Sequence, residues 1–391
     1  MTQTDGYRAL RDRIAPILAE AAEGVIERDH TRALPREAVA ALAAAGLGRA
    51  RVPAADGGYG LTIPEFADVL VEIATVDANL PQVFRGHIAW VEEVLLRPAS
   101  PWWDEWIGRL VAGEIVGNAW SETGSGALGT QQTVLGDTLT GKKYYSTGSI
   151  YADWIDVVAQ RGDEQVGVLV PTAQDGVTVS DDWDGFGQRG TGTGTATFDA
   201  ATVDAGSVAP VADRFGTQTA LYQLVLLTVL AGIATAAERD TAAALRSRSR
   251  VYSHGTADRA SADPQLLQVV GEVSATAFAA RAVVRDAAAA VAETLFGGSA
   301  VGDADAIALA EIRTAQGQIA LTDSVPRASM RLFDALGASG TSSATALDRH
   351  WRNARTVASH NPWVYKARIV GDWSVNGNVS DPIWAIGVAT P

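Results

Sequence analysis

The 391-residue sequence predicts an α+β fold in three parts: an N-terminal helical domain over 1–115, a middle antiparallel β domain over 116–212, and a C-terminal four-helix bundle over 213–391. Three observations carry this. Apolar residues recur at helical spacing from Tyr7 to about Glu114. Short segments of strand character replace them between Val116 and Pro210, and helical periodicity returns from about Thr217. With 47% apolar residues, the chain has ample material for a large core.

The first part is punctuated as helices are. The Ala-rich run from Ala38 to Ala45 ends at Gly46 and Gly48, and Leu34-Pro35-Arg36-Glu37 reads as a helix start, because the fixed φ of proline suits a first turn. Val52-Pro53 and Gly57-Gly58-Tyr59-Gly60 form a loop before the next helix. In the middle part, strands are expected at Thr138 to Tyr145, Trp154 to Ala159, Val166 to Val170 and Thr193 to Phe198. Their connections are too short for helical crossovers, which predicts mainly antiparallel pairing. The last part reads as long helices over Leu221 to Arg248, Pro264 to Phe296, Asp303 to Leu336 and Thr345 to Val357. Helices of this length and polarity pack as an antiparallel bundle, and Gly297-Gly298-Ser299 reads as an interhelix loop.

Composition narrows the chemistry. Cysteine is absent, which excludes disulfides, a thiolate nucleophile and metal centres ligated by sulfur, so any redox work needs a borrowed cofactor. No metal site is expected. A net charge of −14 with dispersed Lys and Arg repels polyanions and argues against a nucleic-acid partner. The segment Met1 to Arg13 is polar, and no uninterrupted apolar run approaches a membrane span, so the expected location is cytoplasmic, with no membrane partner. No Gly-x-Gly-x-x-Gly opens a helix after a strand, which leaves no nicotinamide site.

Several segments hold candidate functional residues. Asn118-Ala119-Trp120-Ser121-Glu122-Thr123-Gly124 is a polar strand end. Lys142-Lys143-Tyr144-Tyr145-Ser146-Thr147-Gly148-Ser149 sets two hydroxyls beside aromatic rings; hydroxyls serve as donors in a dry pocket where a charge would be costly, but in a hairpin they also decorate surfaces. Arg246-Ser247-Arg248-Ser249-Arg250 offers guanidinium groups suited to phosphate, although a short basic run is more often a solvated helix face. Phe84-Arg85-Gly86-His87-Ile88-Ala89-Trp90 carries a histidine on an apolar helix, a placement that is commonly structural. Trp183-Asp184-Gly185-Phe186-Gly187 adds aromatic residues that serve equally well in a core. Arg352-Asn353-Ala354-Arg355 leads into Ser359-His360-Asn361-Pro362 near the C-terminus.

Along its whole length the chain resembles the acyl-CoA dehydrogenase superfamily. In that register the catalytic glutamate falls at Asn361, and an amide cannot accept the α-proton of an acyl thioester. The helix where some members carry the base instead, Gly216 to Ala237, has no Asp or Glu. The Ser-His-Asn-Pro turn is similar to a His-Asp-Pro turn of the dibenzothiophene monooxygenase branch, with Asn361 in place of the aspartate. Asn118 and His87 have counterparts in the same branch.

The resemblance implies a two-component monooxygenase. Reduced flavin, FADH2 or FMNH2 from a separate flavin reductase, would react with O2 to a C4a-hydroperoxide and oxygenate a small aromatic heterocycle such as an indole or thiophene. It assigns catalysis to His360, Asn118, Ser146 and Thr147. It assigns the flavin to Asn118, Trp120, Ser121, Tyr144, Ser146, Thr147, Arg250 and His360, and the substrate to His87, Trp90 and Trp183. It further implies a homotetramer in which the Arg250 segment reaches a neighbouring subunit's cofactor. The competing readings are an acyl-CoA dehydrogenase, an N-hydroxylating monooxygenase of amines or amino sugars, and a non-catalytic nucleic-acid-associated member.

Overall fold

The computed structural model describes residues 3–124, 126, 128–295 and 303–380. Seven helices come first: α1 (Asp5–Glu23), α2 (Val25–Thr31), α3 (Arg36–Ala45), α4 (Ile63–Val76), α5 (Leu80–Val83), α6 (Arg85–Leu95) and α7 (Pro101–Ala112). Their ends follow from local chemistry. At the start of α4, Thr62 accepts from the Glu65 amide while the Glu65 carboxylate accepts from the Thr62 amide at 2.9 Å, a reciprocal cap. At the end of α3, Gly46 takes φ 97°, a left-handed turn that glycine adopts without strain.

Eight strands follow: β1 (Val116–Ala119), β2 (Val134–Leu135), β3 (Leu139–Lys143), β4 (Trp154–Arg161), β5 (Glu164–Pro171), β6 (Val177–Val179), β7 (Ala196–Ala201) and β8 (Val208–Pro210). The sheet order is β6-β7-β3-β2-β4-β5-β8, with β1 also against β4. The sheet is mainly antiparallel, as expected, with two parallel pairings. β1 runs parallel to β4, with Asn118 opposite Asp156, and β2 meets β4 in parallel at Val134 and Gln160. The segment between β1 and β4 contains the β2–β3 hairpin, so the chain has the length to return in the same direction without a helix.

The C-terminal part consists of α8 (Gln218–Ser247), α9 (Pro264–Ala292), α10 (Ala304–Leu336), α11 (Asp348–Ala358) and α12 (Lys366–Asn376). The helices α8, α9 and α10 pack against one another, α11 packs on α8 and α10 as a shorter fourth member, and α4 closes the bundle from the N-terminal side. The loop expected at Gly297-Gly298-Ser299 and the helix end expected at Phe296 lie outside the described residues. Both α8 and α9 have the length and apolar composition of a membrane span, which corrects the expectation that no segment approaches one. The most apolar window of α8 is 89% buried within the protein, as in the core helix of a bundle.

The fourth helix is unusual because its inward face is polar. Arg349, His350 and Asn353 are buried together with Ala354 and Val357. Asp240 of α8 answers two of them, meeting Arg349 Nη2 at 2.6 Å and His350 Nε2 at 2.9 Å. Arg352 reaches Asp29 of α2 at 2.5 Å, and Asn353 Oδ1 accepts from the Gln188 amide at 2.7 Å. Burial alone would raise the Asp240 pKa, but His350 and Arg349 outweigh it and hold the carboxyl below its usual range.

Replacing Asp240 by Ala strands a buried guanidinium, so Asp240→Ala should lower the unfolding free energy by about 3–5 kcal/mol in urea titrations. Because the folded-state pKa is depressed, the stability from Asp240 is fully present above about pH 4 and fades as pH falls below it. The acid branch of a stability–pH curve should therefore be shallower in the variant.

Candidate functional site

The site is assembled where β1, α6, α8 and the turn after α11 converge. Asn118 is 6% exposed, and its Oδ1 is a buried acceptor with no hydrogen-bond partner among the described residues. It fits against α6 because residue 86 is glycine: a Cβ there would lie 2.9 Å from both Asn118 Cβ and Asn118 Oδ1. Beside Gly86, the Arg85 guanidinium lies over the Tyr222 ring of α8, 4.7 Å from its centroid. Trp120 meets the same ring edge-on at 6.0 Å and donates from Nε1 to Asp156 Oδ2 at 2.9 Å. Arg214 completes this wall by pairing with Asp156 at 2.5 Å.

His360 enters from the turn that ends α11. Its side chain is exposed, yet protein surrounds it on many sides. That enclosure, and then the charge of Arg85, push its pKa down to about 3; since Arg85 acts in the same direction as burial, the imidazole is neutral near pH 7. A chain of amides sets its polarity. Asn361 Nδ2 donates to Gln223 Oε1 at 2.8 Å, leaving Asn361 Oδ1 as the acceptor facing His360 Nδ1 at 3.2 Å. The proton therefore sits on Nδ1, and Nε2 keeps a free lone pair. The Asn361 carbonyl also accepts from Gln318 Nε2 at 3.4 Å, which ties the turn to α10.

The other expected site residues include those of the segment after β3, which is tied to β1 where the Ser149 hydroxyl donates to the Asn118 carbonyl at 3.3 Å. Ser146 is fully buried, and its hydroxyl donates to the Gly194 carbonyl at 2.8 Å. Thr147 shares a 2.9 Å hydrogen bond with Thr193, which continues to Thr191 at 2.8 Å. Both hydroxyls are thus engaged by the loop that precedes β7. The Ser121 carbonyl accepts from the Tyr144 amide at 3.0 Å, which joins the two loops. Tyr144, Tyr145 and Trp183 form one aromatic cluster, with Tyr145 tilted 4.3 Å from Tyr144 and edge-on to Trp183 at 5.8 Å. His87 and Trp90, expected at the substrate, are both buried. His87 Nε2 lies 2.9 Å from the Gly48 carbonyl, Nδ1 accepts from the Val116 amide at 3.1 Å, and burial pushes its pKa down to about 4. Trp90 packs edge-on to Trp106 at 5.0 Å within an aromatic core.

Arg250 lines a different cleft of about 290 Å³ with Tyr252, His254 and Asp263. It follows the far end of α8, and the 1.5 Å rise per residue puts that end roughly 40 Å from Tyr222. Within one chain Arg250 and His360 do not share a site.

Three features escaped the sequence reading. Arg85 is a lone cation in the run Ala78 to Val91, which contains no Asp or Glu, so no intrahelical carboxylate can pair with it; that absence was the available signal. Tyr222 and Gln223 look like ordinary interior residues of an apolar helix and gave none. Lys143 is wholly buried, with Nζ 2.6 Å from both Glu122 Oε1 and Gln131 Oε1, and it fastens the loop after Trp120 to β3.

Comparison with known proteins gives a consistent picture. The family described as "Acyl-CoA dehydrogenase, N-terminal domain" matches residues 4–114, and "Acyl-CoA dehydrogenase, C-terminal domain" matches residues 224–363. The chain is 30% identical to dibenzothiophene monooxygenase of Mycolicibacterium goodii, with 90% of each chain covered. It is 27% identical to the probable FMNH2-dependent monooxygenase SfnC of Pseudomonas putida, covering 91% of this chain and 92% of the relative. The crystal structure of TdsC from Paenibacillus sp. A11-2 with FMN and indole superposes with a TM-score of 0.87 at 29% identity, over 96% of this chain and 99% of that one.

The amide chain makes the His360 pKa adjustable through one side chain. In Asn361→Asp a carboxylate would face Nδ1 and stabilise the imidazolium, so the pKa should rise from about 3 by roughly 1–3 pH units. Titration of the His360 ring protons by NMR measures this, and an unchanged midpoint would show that Asn361 does not set the state of the ring.

Proposed function

The chain belongs to the acyl-CoA dehydrogenase family, among its flavin-dependent monooxygenases, and from that premise we propose that it oxygenates a small aromatic heterocycle, an indole or a thiophene, in the cleft walled by Asn118 and His360. It works with reduced flavin. The residues present suit that cofactor: Asn118 Oδ1 is a buried acceptor without a donor, and a reduced isoalloxazine is rich in N–H groups. When bound, reduced flavin supplies two electrons to O2, one oxygen atom entering the substrate and the other leaving as water.

The observation that carries the reading is the His360-Asn361 pair. A dehydrogenase needs a carboxylate base there, whereas Asn361 is an amide occupied with Gln223 and His360. His360 Nε2 is left as an acceptor for a protonated oxygen at the reacting face. A neutral ring holds that proton in place without supplying a second one, which would let the oxygen depart as hydrogen peroxide. Trp120 and Tyr222 give the cleft flat apolar walls against which an aromatic substrate can stack. We place the Tyr144 and Trp183 cluster beside it, because the Tyr144 amide is bonded to the Ser121 carbonyl next to Trp120.

The relatives' FMN and FMNH2 favour FMN over FAD. A separate reductase supplies it, and the protein works in the cytoplasm. We place Arg250 at the cofactor phosphate of a neighbouring copy in a homotetramer, because α8 carries it away from its own Tyr222. Apolar surface for such contacts is available at Leu267 and Phe278 on α9 and at Met330 on α10, all exposed.

Two measurements test the proposal. With reduced FMN supplied anaerobically and ¹⁸O₂ then admitted, indole should yield a product carrying one labelled oxygen; unlabelled product, or acyl-CoA bleaching of a tightly bound FAD, would overturn it. In His360→Phe, reduced-flavin affinity should stay within a few-fold while product falls by about 10²-fold and hydrogen peroxide takes its place. Normal product yield per flavin oxidised would make His360 structural.

A further inference from the structure

Buried arginines in this protein are answered by carboxylates. Arg51 meets Glu92 at 2.6 Å, Arg214 meets Asp156 at 2.5 Å, and Arg349 meets Asp240 at 2.6 Å. Arg85 is the exception. It is 6% exposed, it forms no ion pair among the described residues, and its Nε has no hydrogen-bond partner. What faces its charge is the Tyr222 ring, 4.7 Å from the guanidinium. Burial pushes the Arg85 pKa down, and only Tyr222 acts the other way. Desolvating a guanidinium without a counter-ion is costly, and the cation–π contact offsets only part of that cost. Its local fold supplies no carboxylate within four residues, and the buried acceptors Gln82 Oε1 and Asn118 Oδ1 make no hydrogen bond with it.

An uncompensated cation beside Asn118 and His360, the residues proposed to face flavin and substrate, points to a counter-charge that arrives with the ligand. We propose that Arg85 receives an anionic group, a carboxylate or sulfinate, carried by the aromatic substrate. This rests on the monooxygenase reading and narrows its substrate to anionic heterocycles. The planar guanidinium fork matches the two oxygens of either group, and Tyr222 and Trp120 supply the flat surface for the attached ring. The same chemistry exists on the cofactor's phosphate. The position of Arg85 favours the substrate, because it adjoins Asn118 through Gly86 and its charge acts on His360, the two residues assigned to the reacting end.

The test is calorimetric titration of the FMN-loaded protein with indole, indole-2-carboxylate and inorganic phosphate, for the wild type, Arg85→Gln and Arg85→Lys. The wild type should bind the carboxylate about tenfold tighter than indole, the scale of one charge-assisted hydrogen bond. Arg85→Gln should lose that preference while keeping its affinity for indole and FMN, and should melt no lower than the wild type, since an unpaired buried charge is removed. Arg85→Lys should retain part of the preference. Equal binding of the two ligands by the wild type overturns the inference whatever the variants do. So does an Arg85→Gln protein that loses FMN or phosphate binding but still discriminates the ligands, which would assign Arg85 to the cofactor. Should Arg85→Gln not fold, a weakened preference in Arg85→Lys without loss of FMN still supports the assignment, and full retention opposes it. The two readings fail separately. A carboxylate preference lost in Arg85→Gln, with no labelled oxygen in any product, sinks the monooxygenase and leaves the anion pocket; labelled indole product without any carboxylate preference does the reverse.

Discussion

Two aspartates, Asp240 on α8 and Asp29 on α2, fix where the reactive turn can be. They hold a helix that would otherwise have little reason to pack, because α11 turns Arg349, His350 and Asn353 toward the interior. A purely apolar face tolerates sliding and rotation, whereas paired charges and directed hydrogen bonds accept one register. A one-residue slip would rotate α11 by about 100° and separate every pair. The His360-Asn361 turn follows directly from its last residues. The backbone at 186–188 joins the same lock: Arg352 Nη1 donates to the Phe186 carbonyl at 3.1 Å, and Gly187 lies so close to α11 that a Cβ would be 2.2 Å from the Arg352 carbonyl oxygen.

Much of the fold was legible because hydrophobic period is a local property. Helices expected over Leu221 to Arg248 and Asp303 to Leu336 are observed as Gln218–Ser247 and Ala304–Leu336, and the strand expected from Trp154 runs to Arg161. The direction of β1 was not legible, since pairing partners distant in the chain leave no mark on period. α12 was passed over because Lys366 to Asn376 mixes polar and apolar residues without a clear stripe. At the site, the residue types at 118, 360 and 361 could be read directly. Which way each side chain faces could not. His87 was read as a residue that could be structural or meet substrate, and only the Gly48 carbonyl and Val116 amide reveal that its two nitrogens are already engaged.

The electrostatics of the cleft have a single theme. The residues around it withhold negative charge: Asn361 is an amide, Asp156 is committed to Arg214, and His360 is kept neutral with Arg85 nearby. A proton-abstracting enzyme needs the opposite arrangement. The same substitution that removes the base therefore also determines which nitrogen of His360 is available, so loss of one chemistry and gain of the other share a physical origin.

The helix α8 contributes Tyr222 and Gln223 near one end, and the chain leaving its other end leads to Arg250. A rigid rod of this kind acts as a ruler between what lies at its two ends. Adding one residue to its middle would advance the far end by about 1.5 Å and twist it by about 100°, misaiming everything beyond the insertion. The stretch between Arg248 and Asp263 has no such constraint, being a loop with only a short 3₁₀ turn. Length variation among related chains should accordingly collect in that loop, with the residue count of α8 held fixed.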